Sequence, residues 1–197
     1  AQGLVELFAD RDPEGSENEL LQSIRDRKAQ LDKLEREADR GITVTEEKMA
    51  ESISEEISKK VLSGETLENC DLSGLDLSKG TFDGAMMSGS NLRMANLRNA
   101  SLDGADLSHA NLEGADLRDT SLKNANLAEA NLEGADLREA NLTEANLTGA
   151  ILQAADLRGA DVWQAEFYDT NLNKAQIEGV NIWHTKRSRA DLWRIWD

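Results

Sequence analysis

Large apolar residues recur at every fifth position from Leu67 to Ile182. A small residue, alanine in most units, stands two positions before each of them, and Asp or Asn usually lies between the two. A five-residue period fits neither an α-helix, with 3.6 residues per turn, nor a strand, with a period of 2. The chain must therefore turn once per unit, and the pattern predicts a solenoid whose large and small residues both point inward.

Four such units make a square coil of 20 residues, which stacks on the next coil at the parallel strand spacing of about 4.8 Å. The backbone N–H and C=O groups then pair between coils along the stack. We predict an all-β solenoid of about six coils over residues 65–185, with α-helix before it. Small residues suit the second inward column because each coil must hold four of them beside four large ones.

The repeating units are similar to one another and to a known consensus sequence. A-N-L-E-G occurs at 110–114 and 130–134, A-D-L-R-G at 155–159 and A-N-L-T-E at 140–144. These units resemble the pentapeptide-repeat family, whose consensus is A-(D/N)-L-X-X. The resemblance covers about two thirds of the chain and implies a right-handed quadrilateral parallel β-helix. It does not imply one function, because a repeat scaffold hosts many.

The residues before the solenoid follow a helical pattern. Residues 1–15, which include the only proline, form an N-terminal segment or linker. Two capping-box sequences, beginning at Ser16 and Thr43, predict a helical hairpin over 16–63. Because the second helix runs directly into the first coil, we expect it to cover the open N-terminal end of the stack.

The repeat also changes at its other end. We predict a C-terminal cap over 186–197, either a short helix or a final half coil. All four tryptophans lie near this end: Trp163, Trp183, Trp193 and Trp196. Trp163 and Trp183 are one coil apart, so we expect them to stack on one outer face. The four tryptophans form either an aromatic cover over the last coil or a contact with a protein partner, which could be a second copy of the chain.

A 20-residue register also aligns four arginines on one outer column: Arg98, Arg118, Arg138 and Arg158. Stacked guanidinium groups repel one another, so counter-charges must be near. Asp116, Asp136 and Asp156 lie two residues before three of these arginines. The column is therefore either a salt-bridged, solvated face or a stripe that binds anions or an acidic partner.

Charge and composition narrow the function classes. The formal net charge of −16 argues against direct binding to nucleic acid or to an anionic membrane. No apolar run is long enough to span a bilayer. The start at Ala1 predicts a processed product or a piece of a longer protein. We expect the chain to act in the bacterial cytoplasm, with secretion or the periplasm as alternatives.

No catalytic pattern emerges. His109 and His184 fall on different faces, so they cannot share a metal, and Cys70 occupies an inward position. Every unit carries outward carboxylates on a convex surface, which offers no deep pocket to shift their pKa values. We predict that the chain is not an enzyme and has no cofactor and no metal.

The sequence leaves three functions open. The first is a structural or interaction module, a rigid acidic rod whose flat faces contact a protein partner. The second follows from the resemblance, because some family members mimic DNA and protect gyrase, a type II topoisomerase. The arginine column argues against it, since a DNA mimic needs negative charge there. The third is the tail of a secreted bacterial effector or a secretion adaptor.

Overall fold

The computed structural model describes residues 26, 29, 54, 55, 57–59, 61, 62, 64, 66–180, 182 and 184–186. The chain divides into two compact units, Ala1–Ile42 and Thr43–Asp197. In the first unit, Asp26 and Ala29 are helical and exposed. In the second unit, a helix that we call α1 is defined by the described residues 54, 55, 57–59, 61 and 62. The predicted segment 1–15 lies outside the described residues, as does the predicted cap 186–197 apart from Lys186.

The solenoid is built from isolated parallel bridges, each one residue long, at every fifth position. Asp71 pairs with Asn91, Asp76 with Asn96, Thr81 with Ser101 and Met86 with Asp106. The series continues in the same register to the bridge between Glu166 and Lys186. The predicted 20-residue register is therefore present. The square cross-section, the number of coils and the helical caps stay predictions.

The units turn through a common corner, which a hydrogen bond closes in most of them. The Leu75 N–H donates to the Leu72 carbonyl (3.3 Å), which closes a four-residue turn. Its third residue, Gly74, has a φ of 68°, while the second, Ser73, is not among the residues with positive φ. One positive φ at this position defines a type II turn. The corner thus requires a left-handed residue once per unit, and many units place a residue other than glycine there.

This corner gives a test with a matched pair. Gly134 and Ala154 occupy the same column in successive coils, with φ of 65° and 57°. A Cβ on Gly134 would meet nothing within 4 Å, so only the backbone conformation opposes it. We expect Gly134→Ala to lower, and Ala154→Gly to raise, the free energy of unfolding by about 1 kcal/mol each. Urea unfolding measures both, and two changes of the same sign would contradict the turn assignment.

The two inward columns form the core. The large residues from Leu67 to Leu157 are fully buried, and the alanines beside them are equally closed to solvent. Thr120 takes an alanine position, and its Oγ1 donates to the Leu97 carbonyl (2.8 Å), which satisfies the buried hydroxyl. Cys70 is buried, as its inward position predicted. Burial weakens at the end of the described solenoid, where Ile177 and Ile182 are only half-buried.

The Asp and Asn position has a backbone role. The side chain accepts the N–H of the residue two positions later, as between Asp106 Oδ1 and the Ser108 nitrogen (3.0 Å). It also pairs with its neighbour in the next coil, as when Asn126 Nδ2 donates to Asp106 Oδ1 (2.9 Å). Short acceptors that bond the nearby backbone are favoured at turns. The Asx residue therefore holds the turn and joins the coils.

In one column the backbone N–H groups of the turn bind a different acceptor. Ser101 and Ser121 stand where Asp or Asn is usual, and the N–H groups two residues later need another acceptor. Asp83 Oδ1 accepts from the Asp103 nitrogen, and Asp103 Oδ1 accepts from the Lys123 nitrogen (3.1 Å in both cases). Each aspartate thus reaches from one coil to the backbone of the next. This substitution was not predicted, because it depends on contacts across coils.

Candidate functional site

The arginine column is a ladder of paired charges, which we call the Arg–Asp ladder: Arg118, Arg138 and Arg158 with Asp116, Asp136 and Asp156. Each arginine forms two hydrogen bonds with the aspartate two residues before it. Nε of Arg118 donates to Asp116 Oδ1 (2.8 Å), and Arg158 holds Asp156 in the same way (2.9 and 2.6 Å). Such two-point contacts are the strongest geometry for this pair of side chains.

The same aspartates also join successive coils. Arg118 Nε lies 3.5 Å from Asp136 Oδ2, and Arg138 Nε lies 3.6 Å from Asp156 Oδ2. Hydrogen bonds from the arginines hold the pKa values of Asp116, Asp136 and Asp156 below the ordinary range. In return, the pKa of Arg118 is raised by its hydrogen bonds to Asp116. The ladder is therefore a continuous network of charges along the face.

Arg98 ends the ladder differently. Asn96 replaces the aspartate before it, and the Arg98 Nε pairs instead with Asp119 Oδ2 (3.3 Å). Beside the column runs a shallow groove of about 470 Å³. Its lining comprises Arg98, Arg118, Asp119, Arg138, Glu139, Arg158 and Gly159. Since carboxylates accompany the guanidinium groups throughout, the geometry is that of a salt-bridged face. A role for the four arginines as partner contacts stays a prediction.

Trp163 is the one predicted tryptophan contact that the structure describes. Its side chain is 43% exposed. Its ring lies 4.0 Å from the ring of His184, centroid to centroid, at an angle of 43°. Trp183, Trp193 and Trp196 lie outside the described residues, so the predicted stack on Trp183 and the C-terminal tip stay predictions. The contact with His184 was not predicted, because the 20-residue register aligns Trp163 with Trp183 instead.

Tyr168 is a second exposed aromatic residue, at 40%. The four coils before it carry small residues in its column: Ser88, Ser108, Ala128 and Thr148. In the four coils before it, the column of Trp163 is polar: Asp83, Asp103, Lys123 and Thr143. We call Trp163 and Tyr168 the aromatic pair. Tyr168 was not singled out from the sequence, although comparing residues 20 positions apart would have marked it.

The described residues contain no group of three or more His, Cys, Asp or Glu side chains placed to hold a metal ion. His109 is exposed, and its Nδ1 lies 3.4 Å from Glu129 Oε2. Within the same part of the chain, no helix is long and apolar enough to cross a membrane. The predictions of no enzymatic activity, no cofactor and a cytoplasmic location stay predictions.

The repeat columns have a counterpart among known families. A family model described as "Pentapeptide repeats" matches in eight copies, over residues 61–93, 82–119, 115–153 and 152–183. These matches span more than half of the chain. The chain belongs to the pentapeptide-repeat family. Proteins of this family form right-handed β-helix solenoids, which agrees with the predicted fold class. No curated protein sequence matches.

Several solved pentapeptide-repeat structures are similar over part of the chain. Rfr23 from the cyanobacterium Cyanothece 51142 is 37% identical, and the match covers 50% of this chain and 64% of Rfr23, with a TM-score of 0.34. HetL, involved in heterocyst differentiation regulation in Nostoc sp. strain PCC 7120, is 28% identical over 62% of this chain and 70% of its own (TM-score 0.30). A trypsin-treated variant of QnrB1, a plasmid-mediated fluoroquinolone resistance protein, is 28% identical over 62% and 79% (TM-score 0.30).

This pentapeptide-repeat chain thus spans less than two thirds of the length of Rfr23. With TM-scores below 0.5, the three likenesses do not show what the chain binds. The DNA-mimic alternative remains a prediction. Along the Arg–Asp ladder, the carboxylates of Asp116, Asp136 and Asp156 are each bound by an arginine. That face therefore does not present a row of free negative charge.

Proposed function

We propose that the chain is a non-enzymatic protein-binding module, whose partner contacts the acidic solenoid at the aromatic pair. The observation that carries this proposal is a departure within two columns. Earlier coils fold with polar or small residues at the positions of Trp163 and Tyr168. The fold itself therefore does not require an aromatic side chain at either place. Exposed tryptophan and tyrosine are enriched at the energetic centres of protein interfaces.

The surroundings favour a partner segment with Arg or Lys side chains. Glu144, Asp161 and Asp169 lie on the same two faces near the aromatic pair, by their positions in the repeat. Lys186 is held by Glu166, with Nζ 3.0 Å from Oε1, so it does not cancel these charges. A guanidinium can lie over an indole ring while nearby carboxylates attract it. The net charge of −16 steers such a partner toward this protein.

The test replaces the aromatic pair with the residues that the preceding coil carries. Trp163→Thr and Tyr168→Thr copy Thr143 and Thr148, so the backbone and the columns are kept. We expect the double variant to bind its partner about tenfold more weakly or worse, because hot-spot aromatics contribute about 2 kcal/mol or more. Quantitative pull-down with wild-type and variant bait, followed by titration of the captured protein, measures this loss.

Met94→Ala is the matched control, because Met94 is 61% exposed and lies several coils away from the aromatic pair. The control should bind the partner as the wild type does. Equal binding by all three baits would overturn the proposed surface. A partner lost only on reversing Arg118 and Arg138 to Glu would assign binding to the Arg–Asp ladder instead.

A further inference from the structure

The first coil has a backbone edge that needs partners. Inside the solenoid, the Lys79 N–H donates to the Arg98 carbonyl (3.0 Å), and the Ser101 N–H donates to the Gly80 carbonyl (2.9 Å). One coil earlier, the Ser78 carbonyl takes the position of the Arg98 carbonyl. The Thr81 N–H likewise takes the position of the Ser101 N–H. The register that links later coils would pair these two groups with residues 59 and 60. Residue 59, however, belongs to α1 and not to a bridged coil.

Two serine side chains of α1 form hydrogen bonds with these two backbone groups. Ser54 Oγ donates to the Ser78 carbonyl (3.3 Å), and the Thr81 N–H donates to Ser58 Oγ (3.1 Å). Ser58 Oγ in turn donates to the Ser54 carbonyl (2.7 Å), which fixes the orientation of its hydroxyl. Both serines are buried, with 4% and 9% of their surface exposed. Hydroxyl groups thus supply one donor and one acceptor where a preceding coil would supply backbone.

Gly80 makes room for this contact. Later coils carry Ala100, Thr120, Ala140 and Ala160 in its column. A Cβ at Gly80 would lie 2.7 Å from Ser54 Oγ and would also collide with the ring of Phe82. The glycine is therefore needed because the Phe82 ring and Ser54 of α1 both lie there, and not for its backbone conformation, since its φ is not among the positive values. Ile57, between the two serines, is also buried.

We propose that α1 acts as a surrogate coil, and that Ser54, Ser58 and Gly80 are the residues that fix it to the edge of the solenoid. By occupying the Ser78 carbonyl and the Thr81 N–H, α1 keeps this edge from pairing with a second copy of the chain. Exposed backbone edges of β-structure pair readily with another edge. The partner that the cap excludes is therefore another molecule of this protein.

The experiment uses the full chain with Ser54→Ala and Ser58→Ala together. Alanine favours the helix, so only the two hydroxyl groups are removed. We expect hydrogen exchange at the Thr81 amide to become about tenfold faster or more, because its acceptor is gone. We also expect light scattering to give a molar mass that rises with protein concentration and exceeds that of the wild type. Gly80→Ala should act in the same direction.

Ser108→Ala is the control, since it removes a hydroxyl that bonds Ser88 Oγ on the body of the solenoid. It should leave both the Thr81 exchange and the molar mass unchanged. Unchanged Thr81 exchange in the double variant would overturn the role of the serines. Faster exchange at an unchanged molar mass would overturn the masking of the edge. Faster exchange of the Leu117 amide as well would show general unfolding and would overturn a local cap.

Discussion

Leu117→Ala is expected to lower the free energy of unfolding by about 2–5 kcal/mol. Leu117 is fully buried, as are Leu97 and Leu137 above and below it in the column. The backbone on each side is fixed by hydrogen bonds, from Leu97 N to the Asp116 carbonyl and from Leu117 N to the Asp136 carbonyl (2.8 Å each). The coils therefore cannot close around the cavity, and the cost should lie in the upper part of this range.

Urea unfolding of the full chain measures the loss. Lys123→Ala provides the control, because Lys123 is exposed and its backbone hydrogen bond to Asp103 survives the change. The control should stay within about 0.5 kcal/mol of the wild type. A Leu117→Ala variant as stable as the control would show that the interior repacks freely. That result would contradict a core fixed by the bridges between coils.

Acid should weaken the solenoid through the Arg–Asp ladder. The pKa values of Asp116, Asp136 and Asp156 are lowered in the fold by hydrogen bonds from the arginines. In the unfolded chain these aspartates have ordinary pKa values of about 3.9. As the pH falls, they therefore bind protons in the unfolded chain before they do so in the folded protein. The stabilisation is complete above the unfolded pKa and is lost as the pH falls through the lower folded values.

Changing all three aspartates to asparagine isolates this effect. Asparagine keeps the side-chain acceptor for the backbone, as Asn96 does for the Arg98 N–H (3.1 Å). We expect the melting temperature of the triple variant to fall less than that of the wild type between pH 7 and about pH 2.5. At pH 7 the variant should be less stable than the wild type, because the ion pairs are gone.

The control changes Glu129, Glu133 and Glu144 to Gln, which alters the net charge by the same amount away from the ladder. Its melting temperature should keep the wild-type dependence on acid. If the triple asparagine variant lost as much stability in acid as the wild type, the ladder would not be the acid-sensitive element. Measuring in high salt adds a second check, since exposed charge pairs are screened.

The repeating part of the fold was predictable because each unit contains its own information. The five-residue spacing placed Leu117 and Ala115 inside, and both are buried. The position of Asp116 two residues before Arg118 made a salt-bridged face one of two alternatives for the column, and the two side chains are paired. Such inferences need only the period and the register. The family match then supported the fold that the consensus had implied.

The ends and the exceptions were not predictable in the same way. Gly80 interrupts the alanine column, and what excludes a side chain there is the Phe82 ring together with Ser54 of α1. Asp83 looks like an ordinary surface aspartate, although it serves the backbone of the next coil. Both depend on a contact between elements that follow different periods. A single repeat therefore determines its own unit, but not how the repeat begins.

The common register has a consequence for changes in chain length. Every β-bridge of the described solenoid joins residues 20 positions apart, as Asp116 and Asp136 are joined. Insertion or deletion of 20 residues within the repeat would move one end along the stack and leave every column matched. Insertion of five would preserve the core and turn all later outer columns to a neighbouring face. Adding or removing whole coils thus changes only the distance between α1 and the aromatic pair. Adding or removing single five-residue units also changes the face on which the aromatic pair lies relative to α1.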